Sequence, residues 1–463
     1  MQTNQFQDLV SEVAAVARRE GLPVFMVGGS VRRLLGGDEQ TDLDLVVDAP
    51  RGATQLGDAL SEALPGCSRP AAISSFPTVE LRCGGKTVQI SEPLRKIALD
   101  ISSVGAPLSE TMKQDALVRD FTVNTLLIPV GKTEPAEIID PLGSGRDDLG
   151  KRILRTPMEP EYTLANDPLR MLRAVRFLAV EGFKLDPALR RAILAGAPKI
   201  AGMPGERIGQ ELTKVLTGPR PAEGIRALRE LELLRHILPE LEELASVEQP
   251  TEYHGDDALS HSLKVLDGVG PRLRVRLAAL FHDLGKSGTS REMGGRVVFH
   301  GHQHAGAVGT RAALRRLRYS RKTIEEVARL VEMHMVAYRT EWSDKSVRRL
   351  VRRAGALLDD LTELYRADIL ARKPPHNNPA DFEHLAARLR AVDQEGIRSA
   401  SSPLTGEEVM DLLGIGQCPQ VGEAQRAVEK AIVDGGIPAE REAARRFLLE
   451  QFVPRLQGRG ATP

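Results

Sequence analysis

Aromatic residues and cysteines are scarce in this chain of 463 residues. Aromatics make up 4% of it, which argues against a surface that binds nucleic acid mainly by stacking bases. The three cysteines, Cys67, Cys83 and Cys418, lack metal-ligand spacing, so we expect reduced thiols in a cytoplasmic protein. No apolar run is long enough to span a membrane, and residues 1–20 form an amphipathic pattern with acids, unlike a signal peptide.

An excess of charge of either sign is also absent. Lys+Arg and Asp+Glu number 63 each, so any nucleic-acid binding must come from local basic patches. Two clusters qualify, one over residues 311–322 and the other over residues 348–353. Two interpretations stay open for both clusters: solvated helix faces, or contacts with a phosphate backbone.

Secondary-structure signals divide the chain into two parts. Over about the first 150 residues, strand patterns alternate with helical ones, and VELRC and KTVQISE, joined by Gly84-Gly85, predict a β-hairpin. From Asn166 onward strand signals almost vanish, and apolar residues recur at helical spacing. The pattern predicts an α/β head followed by all-α domains, in a chain too long for a single core.

The stretch from Val24 to Asp48, VFMVGGSVRRLLGGDEQTDLDLVVD, carries the clearest chemistry. We expect a strand, a glycine turn at Gly28–Ser30, a short helix and a second strand. Asp42 and Asp44 lie two apart in that second strand, so their carboxylates project from one face. Paired acids are costly unless a cation compensates them, and backbone N–H groups at the turn favour an anion such as phosphate. The stretch therefore predicts metal-assisted phosphoryl or nucleotidyl transfer; the alternative is a strand with two surface acids.

Asp167 and Arg170 form a second candidate group. They lie three apart at the start of a predicted helix, with Pro168 in its first turn, and so share a face. A carboxylate accepts a hydrogen bond from the exocyclic amine of cytosine or adenine, and a guanidinium donates to the neighbouring ring nitrogen. Guanine and uracil carry a carbonyl in place of that amine, so this pair would select C and A. The alternative is a helix cap with a surface ion pair.

Four motifs in order over residues 22–180 resemble the class II (bacterial-type) tRNA nucleotidyltransferase and poly(A) polymerase family: GGSVRRLLG with TDLDLV, then RDFTVN, then DPLGSGRDDL with ILR, then NDPLRMLRAVRF. The resemblance implies a polymerase-β-like catalytic head over residues 1–150 and a helical neck and body over residues 151–250. It implies that Asp42 and Asp44 bind Mg²⁺. It also assigns nucleotide binding to Gly28, Gly29, Ser30, Arg32, Arg119, Asp120, Asn124, Asp167, Arg170, Arg173 and Arg176.

The chain departs from the family pattern within these motifs. Arg33 stands where the family usually has Asp, and Val118 stands where it usually has Arg. Asn166 replaces the usual Glu before the base-selecting pair. The loop that precedes Arg119 lacks the alternating acids and bases common in members that add both C and A. These departures keep open a partial activity, the addition of CC alone or of A alone.

Histidines and acids further along form a third pattern. One buried histidine is more often structural than a ligand, but here several occur in helical contexts and one adjoins an aspartate. Imidazole and carboxylate together suit Mn²⁺, Fe, Ni²⁺ or Zn²⁺. The pattern resembles the HD phosphohydrolase superfamily, which implies an HD domain over residues 251–375 and a helical tail over residues 376–463. The ligands that this resemblance implies are His261, His282, Asp283 and Asp368, with His302 and His334 matching a second metal position.

The resemblances together imply an enzyme that adds C and A from CTP and ATP to the 3′ end of tRNA without a nucleic-acid template. They also imply Mg²⁺ in the head and a divalent transition metal in the HD domain, with phosphohydrolase activity there. The alternatives are a CC-adding enzyme, an A-adding enzyme or a poly(A) polymerase. Two further alternatives are an HD phosphohydrolase whose head only binds nucleotide or RNA, and a non-enzymatic RNA-binding scaffold.

Overall fold

The computed structural model describes residues 2–37, 42–73, 77–94, 99–102, 104–130, 138–247, 257–294, 296–336, 338–374 and 376–452. The chain divides into two compact units, Met1–Met203 with Ala227–Ile237, and Pro204–Arg226 with Leu238–Pro463. The predicted change from a mixed α/β head to helical domains is confirmed. The sequence predicts four domains, over residues 1–150, 151–250, 251–375 and 376–463, whereas the structure divides into only two units. The boundaries of the four domains therefore stay a prediction.

A six-stranded sheet forms the centre of the first unit, in the order β3-β4-β5-β2-β1-β6. Its strands are β1 (Val24–Met26), β2 (Asp42–Val47), β3 (Ala71–Ala72), β4 (Thr78–Cys83), β5 (Lys86–Ser91) and β6 (Ile128–Pro129). β2 runs parallel to β5, and the other neighbours are antiparallel. Gly84 and Gly85 adopt φ of 56° and 80°, the left-handed backbone that a two-residue hairpin turn needs, so the predicted hairpin is confirmed.

Helices complete the first unit. They are α1 (Gln2–Arg19), α2 (Gly28–Gly36), α3 (Gly52–Ala63), α4 (Glu110–Val118), α5 (Gly145–Lys151), α6 (Pro160–Asn166), α7 (Leu169–Arg176), α8 (Pro187–Gly196) and α11 (Leu234–Ile237), with 3₁₀ turns at Thr122–Asn124 and Ala197–Gly202 and a π-helical turn at Phe177–Glu181. α1 and α3 pack together, and α3 covers the sheet, where Val13, Leu56, Leu45 and Ile90 share one core. Two short strands, β7 (Ile153–Leu154) and β8 (Lys184–Leu185), pair in parallel.

The described residues of the second unit are helical except for a short hairpin that the sequence patterns missed. Its helices are α9 (Gly205–Leu216), α10 (Pro221–Glu230, shared with the first unit), α12 (Pro239–Leu244), α13 (Ala258–Asp267), α14 (Leu273–Phe281), α15 (Lys286–Thr289), α16 (His302–Arg316), α17 (Arg321–Met333), α18 (Asp344–Ala354), α19 (Leu358–Leu370), α20 (Pro379–Gln394), α21 (Gly406–Leu413), α22 (Pro419–Val433) and α23 (Arg441–Phe447). The hairpin joins β9 (Arg291–Met293) to β10 (Arg296–Val298). In the described part of the chain, no helix combines the length and the apolar character needed to cross a membrane.

The expectation of three reduced thiols is wrong for two of them. Cys67 and Cys83 form a disulfide with their Cα atoms 4.1 Å apart, and Cys418 is free. The pairing arises because Cys67, beyond the end of α3, lies beside Cys83 at the end of β4 as an isolated bridge. A separation of 16 residues gives no sign of this contact in the sequence.

Candidate functional site

Asp42 and Asp44 lie on one face of β2, as predicted, and both are half-buried. Asp44 is tied to the start of α2, because the Ser30 N–H donates to Asp44 Oδ2 (3.2 Å) and the Asp44 N–H donates to Ser30 Oγ (2.7 Å). A Cβ on Gly29 would lie 3.0 Å from Asp44 Oδ2, so only glycine lets this carboxylate approach the helix so closely. The helix begins directly at Gly28 rather than after a separate turn. The glycines therefore serve to position the acid pair.

Arg32 is held on three sides. Its guanidinium lies over the ring of Phe177, 4.5 Å from the ring centroid. It donates to both carboxylate oxygens of Glu181, at 3.2 and 3.0 Å, and to Asn124 Oδ1. Sequence reasoning missed Glu181, which lies at the end of the π-helical turn Phe177–Glu181. Such turns are frequent at functional sites, but no residue pattern in the sequence signals this one.

Asp120 connects the nucleotide-binding candidates of the head to α7. Its Oδ1 accepts from Asn124 Nδ2 (2.7 Å), and its Oδ2 accepts from Arg173 Nε (2.7 Å). Burial alone would raise the pKa of Asp120, but Arg173 and Asn124 lower it far below its usual value, so the group is ionised. Arg32, Asn124, Asp120 and Arg173 therefore form one continuous hydrogen-bonded chain.

Arg119 is fixed by a residue that the motifs did not reveal. The carboxylate of Asp115, one turn earlier in α4, accepts from Arg119 at 2.7 Å, and Arg119 donates to the carbonyl oxygen of Asn124 (3.0 Å). Asp115 is buried and also accepts from the Leu94 N–H (2.9 Å). Spacing of four residues on a helix is the sequence signal that would have found it.

The base-selecting candidates lie at the start of α7. Asp167 Oδ1 accepts from the Leu169 N–H (3.1 Å), but Pro168 rather than Asp167 occupies the N-cap of α7, and Asp167 lies at the end of α6. The guanidinium of Arg170 donates to the carbonyl oxygens of Thr163 (3.4 Å), Arg119 (3.2 Å) and Val118. Burial lowers the pKa of Arg170, and the charges of Asp120 and Asp167 oppose that effect. The contact with Arg119 brings this pair into the same network as Arg32, while Arg176 lies 5.2 Å from the Phe177 ring centroid.

The six predicted HD ligands converge from five helical elements of the second unit. All six are buried: His261, His282, Asp283, His302, His334 and Asp368. Asp283 lies at the centre, with its carboxylate oxygens 3.2 Å from His282 Nε2 and 3.5 Å from His302 Nε2. His261 Nε2 lies 3.0 Å from Asp368 Oδ1. Two triads therefore share Asp283, one with His261 and His282 and the other with His302 and His334.

Hydrogen bonds to the backbone fix the tautomers of three histidines, so that the other ring nitrogen of each is free of a proton and can bind a cation. The Nδ1 atoms of His282, His302 and His334 donate to the carbonyl oxygens of Ala279 (2.8 Å), Phe299 (2.8 Å) and Val331 (2.6 Å). Their Nε2 lone pairs therefore face the cluster.

Two of these lone pairs oppose one another, since Nε2 of His302 and Nε2 of His334 are 3.2 Å apart. Burial lowers the pKa of His302, and burial together with His282 lowers the pKa of His334 to about 3. A metal ion between the two Nε2 atoms would relieve this contact, so the donor set fits a divalent cation.

Two cations accompany the HD acids. Lys286 donates to Asp283 Oδ2 (2.7 Å), and Arg372 pairs with Asp368. Burial would raise the pKa of both carboxyls, but His282 and Lys286 at Asp283, and Arg372 at Asp368, lower it well below the usual range. A cavity of about 510 Å³ is lined by the histidines together with Lys286 and Arg372. It has room for a phosphate ester, and these two side chains can donate hydrogen bonds to it.

Of the two basic clusters, the one on α18 is largely neutralised within the protein. Arg348 pairs with Glu395, Arg349 with Asp434 and Arg352 with Glu429. In the other cluster Arg311 pairs with Glu325 and Arg316 with Glu240. The α18 cluster is thus best explained by ion pairs within the fold rather than by phosphate contacts.

Three sequence families match the chain in order. The family described as the poly A polymerase head domain matches residues 24–155, the probable RNA and SrmB-binding site of polymerase A matches residues 182–244, and the HD domain matches residues 258–373. The fold and its two sites therefore define a nucleotidyltransferase-type head joined to an HD domain.

Close relatives cover almost the whole chain. An A-adding tRNA nucleotidyltransferase of Deinococcus radiodurans is 34% identical over 92% of this chain and 96% of its own length. A CC-adding tRNA nucleotidyltransferase of Thermus thermophilus is 35% identical over 92% of this chain and 93% of its own. The Bacillus stearothermophilus CCA-adding enzyme in complex with CTP shares the fold, with a TM-score of 0.63, 24% identity, and coverage of 98% and 99%. The chain belongs to the tRNA nucleotidyltransferase and poly(A) polymerase family.

Proposed function

We propose that this protein adds C and A nucleotides from CTP and ATP to the 3′ end of tRNA without a nucleic-acid template. The observation that carries the proposal is the carboxylate pair on β2, linked through α2 and the Arg32–Asn124–Asp120–Arg173 chain to the base-selecting candidates on α7. Its relatives act on tRNA, and one is named for A and the other for CC. We propose a cytoplasmic location, which suits an enzyme that processes tRNA.

Divalent metal ions fit the head, because two half-buried carboxylates share one face of β2. We propose Mg²⁺, held by Asp42 and Asp44, which would polarise the α-phosphate and the 3′-hydroxyl when bound. The chain's own groups do the positioning. Arg32 and Arg119 contact the triphosphate, and Asp167 with Arg170 selects the base by its amine.

A partial activity is the second candidate, and a specific observation favours it. The two relatives are nearly equal in identity to this chain, and one is named as A-adding and the other as CC-adding. In this chain Asn166, which lacks the charge of Glu, precedes the base-selecting pair. Purified protein should be incubated with CTP and ATP and with tRNA lacking CCA, or ending in C or CC, and the product ends sequenced. Complete CCA on the first tRNA supports the main proposal, whereas CC alone or A only on the CC-ended tRNA supports the second.

The HD domain carries a separate phosphohydrolase function in our proposal. His261, His282, Asp283 and Asp368 would hold a transition metal such as Mn²⁺, Fe, Ni²⁺ or Zn²⁺, with His302 and His334 at a second position. Such a metal lowers the pKa of a bound water and so supplies a nucleophile. Lys286 and Arg372 would orient the phosphate ester. Hydrolysis of a 2′,3′-cyclic phosphate, with and without chelator, tests this function.

A further inference from the structure

An arginine-lined cavity lies beside α2, outside most of the predicted nucleotide-binding residues. Its volume is about 810 Å³. Five guanidinium groups line it, those of Arg32, Arg33, Arg146, Arg152 and Arg176. Among the described lining residues Glu181 is the one acid, so positive charge is in excess. Such a surface favours a polyanion.

Arg33 joins this cavity to the carboxylate pair. Its guanidinium donates to the carbonyl oxygen of Asp42 (3.1 Å). A Cβ on Gly29 would lie 3.0 Å from Arg33 and 3.0 Å from the carboxylate of Asp44, so the two groups flank the same point. The Nε of Arg33 is buried and makes no hydrogen bond within the described part of the chain. Protein partners therefore leave this cation unsaturated next to the acids.

The remaining lining is apolar, which bears on the ligand. Leu35, Ile138, Leu149, Val180 and Phe183 line the cavity between the guanidinium groups. Phosphate or pyrophosphate alone would gain nothing from these side chains, whereas a nucleotide unit combines a charged phosphodiester with a base whose flat faces pack against apolar groups. The cavity therefore suits phosphorylated nucleosides.

We infer that this cavity binds the 3′-terminal nucleotides of the RNA that is being extended, with Arg33 and Arg146 contacting its phosphodiesters. The inference rests on the proposed function and assigns a primer subsite to it. Of the residues assigned to the incoming nucleotide, Arg32 and Arg176 line the edge that the cavity shares with that site, whereas Gly28–Ser30, Arg119 and Arg170 do not line it. The RNA 3′-hydroxyl must reach Asp42 and Asp44 from another side, and Arg33 marks the side where cavity and acids meet.

Two variants and a matched control test the inference. Arg146 is an exposed residue of α5, so Arg146→Ala should fold normally. Lys151→Ala is its control, because Lys151 is an exposed cation of the same helix, is paired with Asp147 and does not line the cavity. Arg33→Ala tests the inner end of the cavity, with a thermal melt to verify folding. Should Arg33→Ala fail to fold, Arg146→Ala decides alone.

The readout separates RNA from free nucleotide. Arg146→Ala should raise KM for tRNA lacking its 3′ end roughly three- to tenfold and leave KM for ATP and CTP within about twofold. Arg33→Ala should raise KM for this tRNA at least as much. The slope of log affinity for tRNA against log salt should become shallower by about 0.7 to 0.9 for each lost phosphate contact. Lys151→Ala should match the wild type.

Two results would overturn the inference. Unchanged KM for tRNA in the folded variants would mean that the cavity does not bind primer. A rise in KM for ATP or CTP without a rise for tRNA would assign the cavity to a free nucleotide instead. A wild-type protein that adds no nucleotide to any tRNA would refute the proposed function itself, and that result is obtained before any variant is made.

Discussion

At the scale of single residues, Asp120 is the acid at which the head and α7 meet. It is buried and accepts hydrogen bonds from the Phe121 N–H, Asn124 and Arg173. Its charge thus fixes two of the residues assigned to the nucleotide, and that makes it a positioning residue. RDFTVN in the sequence predicts its location, but its partner Arg173 lies 53 residues away.

Asp120→Asn should lower the free energy of unfolding by about 1–3 kcal/mol at pH 7, because the ion pair with a partly exposed Arg173 is lost. The pKa of Asp120 is lowered in the fold, so its stabilisation is complete above the unfolded pKa near 3.8 and is lost as pH falls through the folded one. The difference between wild type and variant in urea unfolding should stay constant from pH 7 to about pH 4 and then shrink. A difference that grows on acidification would contradict this assignment.

His334→Ala should weaken metal binding in the HD domain by at least about tenfold, because Nε2 of His334 faces Asp283 and His302. Metal retained after dialysis, together with hydrolysis of a 2′,3′-cyclic phosphate, measures the effect. His304→Ala is the control, since His304 lies exposed on α16 and pairs with Glu332. Equal metal content in the two variants would argue against His334 as a ligand.

At the scale of secondary-structure elements, β2 and α2 form the part of the head that the sequence predicts best. Alternating apolar residues define β2, and this alternation places Asp42 and Asp44 on the same face of the strand. The π-helical turn after α7 is different, since its Glu181 meets Arg32 across 149 residues of chain. The disulfide likewise depends on tertiary packing, because it joins residues 16 apart in the sequence. The hairpin β9–β10 was missed because strands of three residues carry too short an alternation to recognise.

Gly29→Ala should reduce kcat for nucleotide addition by about 10- to 100-fold, because the new Cβ displaces the carboxylate of Asp44 by a few tenths of an ångström. Stability should change by less than about 1 kcal/mol, since alanine favours the helix. Gly196→Ala, near the end of α8, meets Met171 at an ordinary 3.6 Å and should leave activity unchanged. Equal activity of both variants would refute the packing role of Gly29.

At the scale of the whole molecule, the two candidate sites lie in two separate compact units of one chain. The acids of β2 belong to the first unit, and the histidine cluster belongs to the second. The sequence predicts both sites, because each ligand lies in a short recognisable motif, even though the HD ligands come from five separate helical elements. Glu181, which holds Arg32, depends on how elements pack and could not be predicted that way, whereas Asp115 could have been found from its spacing of four residues from Arg119. Since each unit holds all the metal ligands proposed for its own site, each proposed activity should survive damage to the other.

The most direct test measures CMP and AMP incorporation into tRNA by the wild type, Asp42→Asn and Asp283→Asn. Asp42→Asn should lose at least about a thousandfold in rate while keeping HD-domain hydrolysis, because the acid pair on β2 no longer holds its cation. Asp283→Asn should lose hydrolysis and keep incorporation. Undiminished incorporation by folded Asp42→Asn would contradict the account.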